Sequence, residues 1–87
     1  MTIDGLVPRI LAGLGWPDTR RPFVAAVVRI SERDQSVDPI AITDRLLSAE
    51  ARKSFDEAIS HPLHEDVAQV LRSLQFVRRD LQDENGS

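Results

Sequence analysis

The stretch LHEDVAQVLRSLQFVRRDL, residues 63–81, carries the strongest structural signal in the chain. Its apolar residues recur at alternating steps of four and three, which places them on one side of an α-helix. These residues are Leu63, Val67, Val70, Leu74, Val77 and Leu81, with Leu71 widening the stripe. Pro62 suits the first turn, and Glu65 and Asp66 favour the positive end of the helix dipole. We therefore predict an amphipathic helix of about twenty residues here.

Four further helices are predicted upstream from the same apolar spacing and from capping residues. They cover approximately residues 4–14, 18–30, 39–47 and 49–59. Gly13 or Gly15 is expected to end the first helix, because glycine adopts the left-handed conformation without strain. Asp38 followed by proline starts the third helix, and Ser48 is predicted to cap the fourth. The polar residues 31–36 are predicted to form a loop.

These elements predict an all-α fold, a compact orthogonal bundle of about five short helices. Residues 1–81 form a single helical domain in this prediction, and residues 82–87 form a disordered C-terminal tail. The short loops and the two short helices at 39–59 do not suit long antiparallel pairing. Helix packing has to provide the stability, because the chain has no cysteine for a disulfide.

The composition indicates a cytoplasmic protein. The N-terminal sequence has an acid where a signal peptide would be basic, and no apolar run approaches the ~20 residues of a membrane span. We therefore expect no membrane association. Ten arginines against one lysine are typical of a GC-rich bacterial genome. The net charge of −3 does not indicate a nucleic-acid-binding protein.

Chemistry-bearing residues are too scattered to predict an enzyme. No cysteine nucleophile or tyrosine is present, and no serine lies in a glycine-flanked turn. His61 and His64 are three residues apart and could face one ion, but a metal site needs at least three protein ligands. We interpret them as residues that start a helix. No cofactor and no metal is predicted.

Residues 39–59 contain two short helices about a turn apart, the spacing from which helix-turn-helix DNA-binding proteins are built. The helix predicted at residues 49–59 has a net charge of −1, which opposes approach to phosphates. The helix predicted to start at residue 18 could instead contact phosphates through four arginines in and just after it, although Glu32 and Asp34 lie among them. Those arginines are Arg20, Arg21, Arg29 and Arg33. Nucleic-acid binding, as a transcriptional regulator, is therefore the alternative and not the main hypothesis.

Phe76 is the residue that indicates a function. It points away from the Leu63–Leu81 stripe and lies near Arg72 and Arg79, and aromatic and arginine side chains are enriched at binding hot spots. The competing interpretation is that this helix is central and is contacted on two sides, so that Phe76 packs inside the domain. We predict a non-enzymatic protein–protein interaction module, an adaptor or regulatory subunit, that binds its partner through Phe76, Arg72 and Arg79. A self-associating structural subunit is a further alternative, since a homo-oligomer is compatible with the same features.

Overall fold

The computed structural model describes residues 3–50 and 63–86 of the chain. Within these ranges the chain forms four α-helices and no strand: α1 (Ile3–Leu14), α2 (Arg21–Asp34), α3 (Pro39–Glu50) and α4 (His64–Gly86). A 3₁₀ turn, Asp18–Arg20, precedes α2. The predicted all-α class is confirmed, with four helices and not five in the described ranges. None of these helices combines the length and apolar character needed to cross a bilayer.

The boundary predicted between the third and fourth helices is wrong. Ser48 does not start a new helix, because it lies inside α3, which continues to Glu50. The Ser48 hydroxyl donates to the Arg45 carbonyl one turn back, with 3.2 Å between the two oxygens. A serine that bonds backward in this way is compatible with an uninterrupted helix. The rest of the predicted fourth helix, residues 51–59, lies outside the described residues.

The ends of α1 and the start of α3 follow the sequence prediction. Gly15 has a φ of 70°, and its N–H donates to the Ala12 carbonyl at 3.2 Å. The N–H of Trp16 donates to the Leu11 carbonyl at 3.1 Å, which completes the paired bonds of a Schellman cap. At the start of α3, the Asp38 carboxylate accepts from the N–H of Ile40 at 3.0 Å, so Asp38 caps the helix as predicted.

The loop predicted at residues 31–36 is shorter than the sequence indicated, because α2 continues to Asp34. Ser31 is buried and follows Val24, Val27 and Val28 on the inner side of the helix. Its side chain is small enough to enter the core although it is polar. Gln35 ends the helix with a left-handed φ of 54°.

α4 packs against α1, α2 and α3, and α2 likewise contacts the three other helices. The core comprises Leu6, Val7, Ile10, Leu11, Phe23, Val24, Val27, Val28, Ile42, Leu46, Val67, Val70, Leu71 and Leu74. Val77 and Leu81 pack at the edge of this core. Leu63, which the sequence placed on the inner stripe, is exposed because it precedes the first turn of α4.

α4 also continues past Leu81 to Gly86, through residues for which the sequence predicted a disordered tail. Gln82, Asp83 and Glu84 are exposed in this extension. Gln82 and Glu84 are good helix formers, and a helix that has already begun is extended without a new nucleation cost. The extension places Asp83 one turn beyond Arg79 on the same side of α4.

Candidate functional site

One side of α4 carries a row of exposed side chains, which we call the docking face: Arg72, Phe76, Arg79 and Asp83. Steps of four, three and four residues align them along the helix. Phe76 is 72% exposed, the highest value for a large apolar side chain in the described residues. The buried residues of α4 point roughly the opposite way. Phe76 is therefore a surface residue and not part of the core.

A shallow groove between α1 and α4 lies beside Phe76. It encloses about 320 Å³ and is lined by Arg9, Gly13, Arg72, Ser73, Phe76 and Val77. Gly13 keeps the α1 side of the groove open, because a Cβ at this position would meet no atom within 4 Å. The structure therefore brings Arg72 and Phe76 together at one groove. Arg79 is not part of the groove lining and lies further along the docking face.

The two arginines of the docking face differ from the other arginines of α1 and α4 in having no acidic partner among the residues that the structure describes. Arg9 of α1 pairs with Asp80 of α4 at 3.7 Å, and Arg78 pairs with Glu32 of α2. Within the described residues, Arg72 and Arg79 make no hydrogen bond and no ion pair. Their guanidinium groups are exposed and can donate to an external acceptor.

Arg20 forms a separate cluster that serves the fold. Its guanidinium lies 4.2 Å from the ring centroid of Trp16 and 4.9 Å from that of Phe23. The same guanidinium pairs with Asp66 in the first turn of α4 at 3.3 Å. The ion pair ties the 3₁₀ turn to α4, and the cation–π contacts hold the guanidinium against Trp16 and against Phe23 of α2. Trp16 is partly buried and packs against the core.

The arginines that the DNA-binding alternative requires are partly used inside the protein. Arg20 pairs with Asp66, and Arg21 pairs with Asp18 at 2.7 Å. Exposed Arg29 makes no ion pair among the described residues and is available. The second helix of the proposed DNA-reading pair, residues 49–59, lies mostly outside the described ranges.

The groove offers cationic, hydroxyl and apolar groups to a ligand. Its six lining residues supply guanidinium groups, one serine hydroxyl and apolar surface, with no carboxylate, imidazole or thiol among them. A hydroxyl nucleophile needs an adjacent base. In residues 3–50 and 63–86 no three histidines or acids come together in a way that could hold a metal ion. His64 is exposed at the start of α4, and His61 lies outside the described residues.

Four residues of this surface were missed by the sequence analysis. Ser73 follows Arg72 on α4 and lines the groove. Arg9 and Gly13 reach the groove from α1, and only the packing of α1 on α4 reveals this. Asp83 was assigned to the disordered tail. Its spacing of four from Arg79 was the one available signal, and it has meaning only if the helix continues past Leu81.

Comparisons with models of protein families, with curated proteins and with solved structures gave no match.

Proposed function

We propose that this protein is a non-enzymatic protein–protein interaction module, an adaptor or regulatory subunit, that binds its partner through the docking face. One observation carries the proposal: Phe76 is 72% exposed on the outer side of the helix whose inner side forms the core. A partner that covers the exposed part of Phe76 removes roughly 140 Å² from water. At about 25 cal/mol per Å² this is worth about 3.5 kcal/mol before the cost of association. A single side chain of this kind can dominate an interface.

The charges around Phe76 support the same proposal. Arg72 and Arg79 lie one turn to either side of it, and neither has an acidic partner within the described residues. Arginine and aromatic side chains are enriched at hot spots, where a rim of polar contacts surrounds an apolar centre. The groove on the α1 side, open at Gly13, gives room for an apolar side chain of the partner next to Phe76.

DNA binding is the weaker alternative because Arg20 and Arg21, two of its four candidate arginines, are already paired with acids. Non-specific DNA affinity depends on free cations that neutralise phosphates. A cytoplasmic location fits the proposal, since the fold uses no disulfide. A regulatory subunit of this kind would act by occupying a surface of its partner.

The test is capture from a lysate of the source organism, with nuclease treatment, using tagged wild type and two matched variants. Phe76→Ser removes the proposed hot spot. Ile40→Ser removes a side chain that is 56% exposed on α3, away from the docking face. We expect a protein partner in near-equal amount with the wild type and with Ile40→Ser, and loss of that partner with Phe76→Ser. Equal capture by Phe76→Ser would refute the proposed site, and recovery of nucleic acid alone would favour the alternative.

A further inference from the structure

We propose that the partner which the docking face fits is a second copy of this chain. The two α4 helices would lie antiparallel, related by a twofold axis that passes midway between residues 77 and 78. This inference rests on the proposed function, because it identifies the occupant of the same surface. It predicts that Arg72 faces Asp83 of the second copy, and that Phe76 faces Arg79 of the second copy.

The spacing of the docking face matches this arrangement. Steps of four, three and four are the a/d spacing of a helix-pairing seam, here formed on the outer side of α4. An antiparallel twofold pair places residue 72 opposite residue 83, and residue 76 opposite residue 79. The positions are symmetric about one point, so the same surface patch serves both copies, as an isologous contact requires.

The chemistry of the facing residues is complementary at both positions. Arg72 is cationic and Asp83 is anionic, and a guanidinium–carboxylate pair has strong directional hydrogen bonds. The guanidinium of Arg79 facing the ring of Phe76 forms a cation–π contact, the interaction that Arg20 already makes with Trp16 inside the domain. Because of the twofold symmetry, the ion pair and the cation–π contact each occur twice in the dimer.

The residues beside the seam are compatible with the same register. The arrangement brings Ser73 near Asp80 of the second copy on one edge, and Gln75 near Gln82 on the other. Within the two α4 helices, both edges pair groups that can exchange hydrogen bonds, and neither edge places like charges of α4 together. A parallel arrangement would instead bring Arg72 against Arg72 and Arg79 against Arg79, which is repulsive.

Within residues 3–50 and 63–86, the charges of the docking face have no ion-pair partner. Arg72 and Asp83 are eleven residues apart, about 16 Å along the helix axis, so they cannot pair in the same helix. Arg79 and Asp83 are four residues apart, yet no ion pair joins them in the structure. The opposite charges are therefore available for an intermolecular contact.

The contact is small. A single helix pair over residues 69–86 is about 26 Å long, which corresponds to the low end of interface sizes, where association is weak. We expect a dimer that dissociates on dilution. Both copies would keep their cores unchanged, because every residue of the seam is exposed in the monomer.

The test is a charge swap measured by sedimentation velocity over a range of concentrations. For the wild type we expect the mass to rise from 9.7 kDa towards twice that value. Arg72→Asp and Asp83→Arg each place like charges together twice, and each should weaken the dimer by about tenfold or more. The double variant Arg72→Asp/Asp83→Arg restores opposite charges and should restore the dimer. Circular dichroism of each variant checks that the helices remain.

A wild type that stays monomeric at about 1 mM, where a contact with a millimolar Kd would be half formed, overturns the proposal. So does a dimer that either single swap leaves intact, or that the double swap fails to restore. Failure of the second-copy proposal can be told apart from failure of the proposed function. The wild type could be monomeric in sedimentation and still capture a protein from the lysate that Phe76→Ser does not capture. That outcome would refute the second copy as the occupant and keep the docking face. A different protein, such as an acidic helix, would then be the occupant.

Discussion

Leu74 and Phe76 are two residues apart on α4 and lie on opposite sides of it, so truncating each to alanine tests the orientation of the helix. Leu74 is 1% exposed. Leu74→Ala should cost about 2 to 5 kcal/mol, because it removes buried contacts and leaves a cavity. Phe76 is covered over only about a quarter of its surface. That quarter, roughly 50 Å² at about 25 cal/mol per Å², is worth about 1.2 kcal/mol. Alanine returns several tenths of this through its higher helix propensity.

The two variants should therefore differ clearly in thermal and urea unfolding followed by circular dichroism. Each kcal/mol shifts the Tm of a domain this small by about 4 to 8 °C. We expect Leu74→Ala to lower the Tm by roughly 10 °C or more, and Phe76→Ala to lower it by less than about 8 °C. Equal losses, or a larger loss for Phe76→Ala, would show that Phe76 is buried and would remove the basis of the docking face. An unchanged Tm for Leu74→Ala would show that the side of α4 that carries Leu74 does not face the core.

Three further outcomes are expected from the fold. Arg20→Met should destabilise the domain by about 1 to 3 kcal/mol through loss of the cation–π contacts and the ion pair; a double-mutant cycle with Asp66→Asn in chemical denaturation isolates the ion pair, and full additivity would show that it contributes nothing. Asp38→Ala should cost about 0.5 to 2 kcal/mol by removing the cap of α3, whereas an unchanged urea midpoint would contradict the capping bond. Gly15→Ala should cost about 1 to 2 kcal/mol because of its left-handed φ, while Gly13→Ala should stabilise by up to about 1 kcal/mol in open space. If Gly13→Ala lowered the stability more than Gly15→Ala, the assignment of Gly15 as the left-handed residue that ends α1 would be wrong.

The fold class and most helix positions could be predicted because their signals are local. The stripe of α4 repeats along one segment, and Asp38 caps a helix that starts beside it in sequence. The predictions failed where a polar residue continued a helix. Ser31 and Ser48 both resemble helix breaks in a sequence. In the structure, Ser31 enters the core, and the hydroxyl of Ser48 bonds to the turn before it. Local propensity predicts neither the tertiary packing of a serine nor a hydrogen bond from its hydroxyl to the preceding turn.

The candidate site could be predicted only in part, for the same reason. Phe76, Arg72 and Arg79 lie on one helix, so helical spacing alone placed them together. The α1 side of the groove depends on which helix packs against α4, and no spacing within α1 predicts that Arg9 lies beside Asp80. The pair of Arg20 with Asp66 spans 46 positions in the chain. Contacts of that separation come from the three-dimensional fold.

The docking face can be tested directly by photo-crosslinking from its central residue. Replacing Phe76 by the photoreactive analogue p-benzoylphenylalanine keeps an aromatic group at the site, and the same replacement at Ile40, which is also exposed, is the control. We expect illumination to yield a crosslinked protein from position 76 and none from position 40, with the mass of the product separating a second copy from a different partner. Crosslinking from position 40 alone, or from neither position, would contradict the central claim that proteins bind at the outer side of α4.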